Sequence, residues 1–241
     1  MTDLSALLPH LAHAPGSPRV LLLPPHPDDE TLTGLLALRL LQEVPGTTVH
    51  VLPATYGSNP DRRAARRAEL QNACDVLGFT LLPPPAAPDL PPLAPDRLAP
   101  LLADYDLVVT PHHLDGHPCH RRTCYLLRNA LRLAALPSPP SVAETDYWMP
   151  NAAPNLLVGA TDAQIALLQR ALRCHVGEVA RNDYDVRLPA WMSDSIRRAS
   201  EWLPRPPGVP HGTPAFPPAT IPYGTLYRLR PLPPRLPLIF P

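Results

Sequence analysis

The stretch LLLPPHPDDETL, Leu21 to Leu32, sets an apolar run against one histidine and three consecutive acids. The run begins at Arg19, and RVLLLPP (19–25) has the continuous apolarity of a strand covered on both faces, stopped by prolines. Beyond it, DETLTGLLALRLLQEV (29–44) carries its leucines at helical spacing, with acids in the first turn where the helix dipole favours them. A buried strand turning directly into a helix is the opening unit of a parallel α/β sheet.

The pattern repeats downstream. TTVHVLPAT (47–55) reads as a second strand, and PDRRAARRAELQNACDVLG (60–78) as a helix opened by proline and closed by Gly78. After a proline-rich loop near 83–95, DRLAPLLADY has helical character, DLVVTP (106–111) is another short buried strand, and CHRRTCYLLRNALRLAAL (119–136) a helix. NLLVGAT (155–161) reads as a later strand, and 162–180 and 191–203 as helices. The expected fold is a Rossmann-like, three-layer α/β arrangement around a mostly parallel sheet. One domain over 1–203 would be followed by a proline-rich C-terminal extension over 204–241, lying on the domain as an ordered arm or partly flexible.

Composition narrows the function. With 241 residues the chain can bury a full core. Its 21 basic and 21 acidic residues cancel, which disfavours a nucleic-acid partner and favours a small molecule. Cys74, Cys119, Cys124 and Cys174 show no CxxC spacing and read as reduced thiols. No segment approaches the roughly 20 apolar residues of a membrane span, and the N-terminus lacks the pattern of a secretion signal, so a cytoplasmic location is expected. An uncovered apolar face on the late helices would permit a homo-oligomer.

In open α/β sheets, ligands bind beyond the carboxyl ends of the strands. PHPDDE follows the first strand and PHHLDGHPCH follows DLVVT, while ATYGSNPDRRAARR begins where the second strand ends. His26 and Asp29, three apart across a strand-to-helix turn, suit a divalent metal. His120 is a good third ligand, because two histidines, one carboxylate and an open position make a common catalytic zinc set. Adjacent acids diverge, which leaves Asp28 free to act as general base. Taken singly, the acids could be helix caps and the histidines ordinary loop residues; Glu30 suits a capping or supporting role.

On these motifs the chain resembles the LmbE-like (PIG-L) family of zinc-dependent N-deacetylases. Pro25–Glu30 matches the family's opening motif, RRAELQNACDVLG resembles its arginine-bearing helix with Arg66 and Glu69 on the motif positions, and PHHLDGHPCH resembles its D-x-H-P-D-H motif. A weaker similarity, over YWMPNAAPNLLVGATDAQIALLQRALRCH, extends the resemblance to about residues 18–203. The resemblance implies zinc, or another divalent metal, on His26, Asp29 and His120, with Asp28 as base and His117 stabilising the oxyanion or protonating the leaving amine. It implies Arg66 and His175 near the substrate, an N-acetylated amino sugar or glycoconjugate, although on its own residues His175 reads as a core or surface histidine. Arg62, Arg63 and Arg67 read as a solvated helix face.

Cys119 departs from that pattern, standing where the family has an aspartate expected to orient the first histidine of the motif. Asp115 could take over that task, or Cys119 could join the metal as a thiolate. The departure also keeps open a different reading, a catalytically weak metal- and sugar-binding protein or scaffold.

Overall fold

The computed structural model describes residues 4, 7–11, 17–83, 92–146, 148–203 and 221–230. Most of the loop expected near 83–95 and most of the extension after 203 lie outside these residues. At the centre is β1 (Arg19–Leu22), paired in parallel with β2 (Thr48–Val51) on one side and β4 (Leu107–Pro111) on the other. With β3 (Thr80–Leu81), β5 (Ser141–Thr145), β6 (Leu156–Ala160) and β7 (Tyr223–Arg230), the order is β3-β2-β1-β4-β5-β7-β6. The chain winds outward from β1 to β3, then crosses back to β4, so the winding reverses between β1 and β4. A crevice forms at the carboxyl ends of that pair.

Side-chain alternation divides β1 between two cores. Val20 and Leu22 face a large core with helices α2 (Leu35–Glu43), α3 (Pro60–Leu77), α6 (Asp162–Leu172) and α8 (Tyr184–Trp202). Leu21 and Leu23 face a smaller one with α4 (Pro95–Leu98), the 3-10 turn Ala99–Asp104 and α5 (Pro118–Ala134). Both faces of the strand are dry, as its unbroken leucine run requires. The mostly parallel α/β layering agrees with the sequence expectation.

Four elements differ from it. The helix expected over 29–44 is broken into α1 (Asp29–Leu32) and α2. A β-carbon on Gly34 would lie 2.1 Å from the Glu30 carbonyl oxygen, so only glycine fits the break. The Tyr227 hydroxyl spans it, donating to the Thr33 carbonyl at 2.7 Å and accepting from the Leu36 amide at 3.1 Å. Likewise the helix expected over 162–180 stops at Leu172 and resumes as α7 (Val176–Val179).

The last helix starts earlier than expected, because Pro189 lies inside it. Proline offers no N–H to the carbonyl four residues back, and that carbonyl, of Asp185, accepts instead from the Gln169 side chain at 2.8 Å. Finally, residues 223–230, inside the proline-rich extension, form β7, which inserts antiparallel between β5 and β6.

Candidate active site

The loop after β1 is tied to both neighbouring segments. The Leu23 amide donates to the Val109 carbonyl, and the Pro24 and Pro25 carbonyls accept from Ala54 and Thr55. Prolines give up no donor that the loop needs, and the tethering fixes where His26 stands. The Asp29 carboxylate folds back on it, accepting from the His26 backbone amide at 3.0 Å and lying 3.3 Å from the ring Nδ1. The same oxygen is 3.5 Å from His120 Nε2, brought in by the first turn of α5. Donor atoms of His26, Asp29 and His120 all lie within 4.8 Å of one another.

Behind His120, Asp115 Oδ2 stands 3.3 Å from Nδ1, while its other oxygen accepts from the His117 backbone amide at 2.8 Å. A carboxylate on Nδ1 turns the Nε2 lone pair toward the cluster, the arrangement in which imidazole binds a cation. Burial alone would push the Asp29 pKa up, but the charge of His120 and the contacts with His26 hold it at about 2. Burial lowers that of His120, and Asp29 and Asp115 outweigh it, so the net shift is upward. Two imidazoles and one ionised carboxylate converging on one point fit a divalent metal ion.

Asp28 lies beside this cluster in a backbone conformation with φ 117°, rarely adopted by a residue with a side chain. Its amide donates to Glu30 Oε2 at 2.8 Å, and Glu30 Oε1 accepts from Thr31 Oγ1 at 2.8 Å. Burial raises the Asp28 pKa well above the ordinary carboxylate value, and Asp29 and Glu30 raise it further, against the opposing pull of Arg66. Arg66 donates to the Pro27 carbonyl at 3.0 Å and lies 3.4 Å from Glu178. It has that room because Gly57, at φ 101°, carries no β-carbon, which would meet Arg66 Nη1 at 2.6 Å.

His117 caps α5. Its ring Nδ1 accepts from the Cys119 amide at 3.3 Å, so the neutral ring carries its proton on Nε2. Burial lowers its pKa, as do the nearby charges of His120 and His26. Asp115 reaches the His117 backbone and the His120 ring, so the orienting carboxylate serves the second histidine of the motif.

His26, Asp28, Asp29, Arg66, His117, Cys119 and His120 all line one open cavity of about 730 Å³. His175, expected at the substrate, requires correction. It has no exposed surface, and its Nε2 bonds Glu30 Oε1 at 2.7 Å. The turn between α6 and α7 points its ring into the protein behind the acids, where it braces Glu30.

Arg63, Trp148, Glu178 and Tyr184, none of them expected at the site, are among the other residues that line the cavity. Arg63, expected on a solvated face, is carried to the same rim by the helix periodicity that places Arg66 inward, and it donates to the Gly57 carbonyl at 3.2 Å. Trp148 stands with its ring 6.4 Å from that of His120 and 5.9 Å from Tyr184. Burial, with help from Asp28 and Asp29, pushes the Tyr184 hydroxyl up to about 12 and keeps it a donor.

Residues 21–131 match the family described as PIG-L, GlcNAc-PI de-N-acetylase. A comparison with curated protein sequences gives no match. Among solved structures, the chain is similar to the N,N'-diacetylchitobiose deacetylase of Pyrococcus horikoshii, with TM-score 0.61, 20% identity and coverage of 89% of this chain and 84% of that one. It is also similar to a conserved protein of Thermus thermophilus, with TM-score 0.58, 20% identity and coverage of 90% and 95%. A deacetylase mutant from the teicoplanin biosynthetic pathway gives TM-score 0.57 at 17% identity, covering 88% and 97%. These structures share the fold. The matched segment spans every side chain of the candidate metal-binding cluster and most of the switch point that positions it, and over this segment the chain is similar to the PIG-L family.

Proposed function

We propose that this protein is a metal-dependent hydrolase that removes the N-acetyl group from an amino-sugar-containing small molecule. The observation that carries the reading is the convergence of His26, Asp29 and His120 in a cavity whose wall also holds a strained, buried carboxylate and a proton-bearing histidine. Zinc or another divalent cation held by those three residues would supply a Lewis acid for the amide carbonyl and lower the pKa of a water.

The chain's own groups do the rest. Asp28 accepts the proton of the attacking water, and its high pKa makes it a stronger base than an exposed aspartate. His117 presents Nε2–H to the developing oxyanion and to the departing amine, and a preorganised donor of this kind is often the largest catalytic contribution. Arg66, facing Asp28 across the Pro27 carbonyl, is placed to bind sugar hydroxyls or a phosphate in a planar, two-pronged contact. Trp148 and Tyr184 offer aromatic faces on which the apolar side of a pyranose can pack. Acetate and a free amine are the products.

The test is to measure bound metal and then screen N-acetylated amino sugars with an amine-detecting reagent. Amine release that disappears on chelation and returns with metal supports the reading. Stoichiometric metal without amine release across the panel would favour the binding or scaffold role that Cys119 keeps open.

A further inference from the structure

The departure at Cys119 brings a second group of ligand atoms to the same cavity. Donors of His26, His117 and Cys119 lie within 4.8 Å of one another, and this set shares only His26 with the first. The two sets differ in chemical softness. Two imidazoles and a carboxylate accept many divalent ions, whereas a thiolate with two imidazoles selects thiophilic ones. Tetrahedral bonds of about 2.0–2.3 Å place ligand atoms about 3.3–3.8 Å apart, so the second set needs to close by about 1 Å. His117 is exposed and Cys119 partly so, at the cavity wall where α5 begins, and side-chain rotation there meets little resistance.

We propose that Cys119, His117 and His26 form a thiolate-containing metal site that overlaps the catalytic one, takes a soft divalent cation and silences the enzyme by withdrawing His117. On binding, the Sγ–H proton leaves to solvent, the His117 proton moves from Nε2 to Nδ1 as the ring gives up its bond from the Cys119 amide, and Sγ–metal and Nε2–metal bonds form with no change of oxidation state. Occupancy removes the Nε2–H donor from the reacting carbonyl whichever acetylated sugar is bound. The silencing rests on the proposed hydrolysis; the metal site itself does not.

The experiment titrates metal-free protein with Cd2+ and follows the ultraviolet thiolate-to-cadmium charge-transfer band in wild type, Cys119→Ser and Cys174→Ser. Cys174 is the control because it is the other cysteine that is not fully buried. The band is expected in wild type and Cys174→Ser and absent in Cys119→Ser. In parallel, Cd2+ is added to zinc-loaded protein and amine release is measured relative to each variant's own uninhibited rate. Half-inhibition of Cys119→Ser is expected to need about tenfold more Cd2+, equivalent to about 1.4 kcal/mol of binding. A band that persists in Cys119→Ser, or none in wild type, overturns the site. A band lost in Cys119→Ser together with equal Cd2+ sensitivity of the two proteins overturns the silencing. If neither protein releases amine while the band behaves as expected, the hydrolysis reading falls and the metal site stands.

Discussion

Asp28 pairs an unfavourable backbone with an unfavourable charge. Its φ of 117° costs on the order of 1–3 kcal/mol for a residue bearing a side chain. The folded carboxyl titrates well above its unfolded value of roughly 3.9, so stability falls as pH rises from that value to the folded pKa and stays lower above it. Asp28→Asn, which keeps the shape and carries no charge, should raise the melting temperature of metal-free protein at neutral pH, with the gain vanishing in acid. The same variant should keep its metal and lose about 10²–10⁴-fold in turnover. Calorimetry, metal analysis and amine release check the three parts. At Cys119, an aspartate would place a carboxylate beside the His117 imidazole and favour its charged form by about 1 pH unit or more. Cys119→Asp should therefore move the His117-controlled limb of the rate profile to higher pH, and an unchanged profile would show that position 119 does not reach the ring. His175 gives a third prediction. Removing the imidazole in His175→Ala leaves a buried Glu30 oxygen with one partner fewer, which costs about 1–3 kcal/mol. The melting temperature and kcat should fall with little change in KM, whereas a substrate contact would alter KM first.

At the level of elements, the short α1 that carries Asp29 is held from its far end. Tyr227→Phe removes the hydroxyl that joins the Thr33 carbonyl to the Leu36 amide and leaves the buried Leu36 amide without that acceptor, at about 1–3 kcal/mol. Metal affinity should weaken with stability, since α1 loses its support, and isothermal titration of metal-free protein would detect it. Local pattern alone made much of this architecture readable. The proline start and glycine stop of α3 and the apolar runs of β1 and β4 are signals confined to a few residues. The break at Thr33–Gly34 was not readable, because the leucine spacing continues through it and its cause is a tyrosine almost two hundred positions away. Pro189 points the opposite way, since the donor that satisfies the Asp185 carbonyl it leaves unpaired is supplied by Gln169 on another helix.

Across the whole molecule, the site residues that are legible from sequence are those on the two loops at the switch point, where short motifs follow buried strands. His175 and Trp148 were harder. Whether a residue after α6 faces the cavity or the protein interior depends on how two helices and a turn pack, which no local pattern encodes. The strand β7 was missed for a related reason: GTLYRLR lies among prolines, and only pairing with β5 and β6 gives it strand geometry. A chain ending at residue 203 should lose that pairing, expose β5 and β6 as open edges, and show no cooperative unfolding transition by circular dichroism, while remaining prone to aggregate.

The position of β7 also bears on how the protein is made. Every other strand of the sheet leaves the ribosome before it, yet β7 takes a place inside the sheet rather than at its rim. Until residues 223–230 have been synthesised, Tyr227 is not there to hold Thr33 and Leu36, and the acids of the first loop sit on an unsupported turn. The growing chain can therefore assemble β1 to β4 early while its candidate metal ligands stay incompletely ordered. Binding of a metal at these candidate ligands would therefore have to wait for residues 223–230.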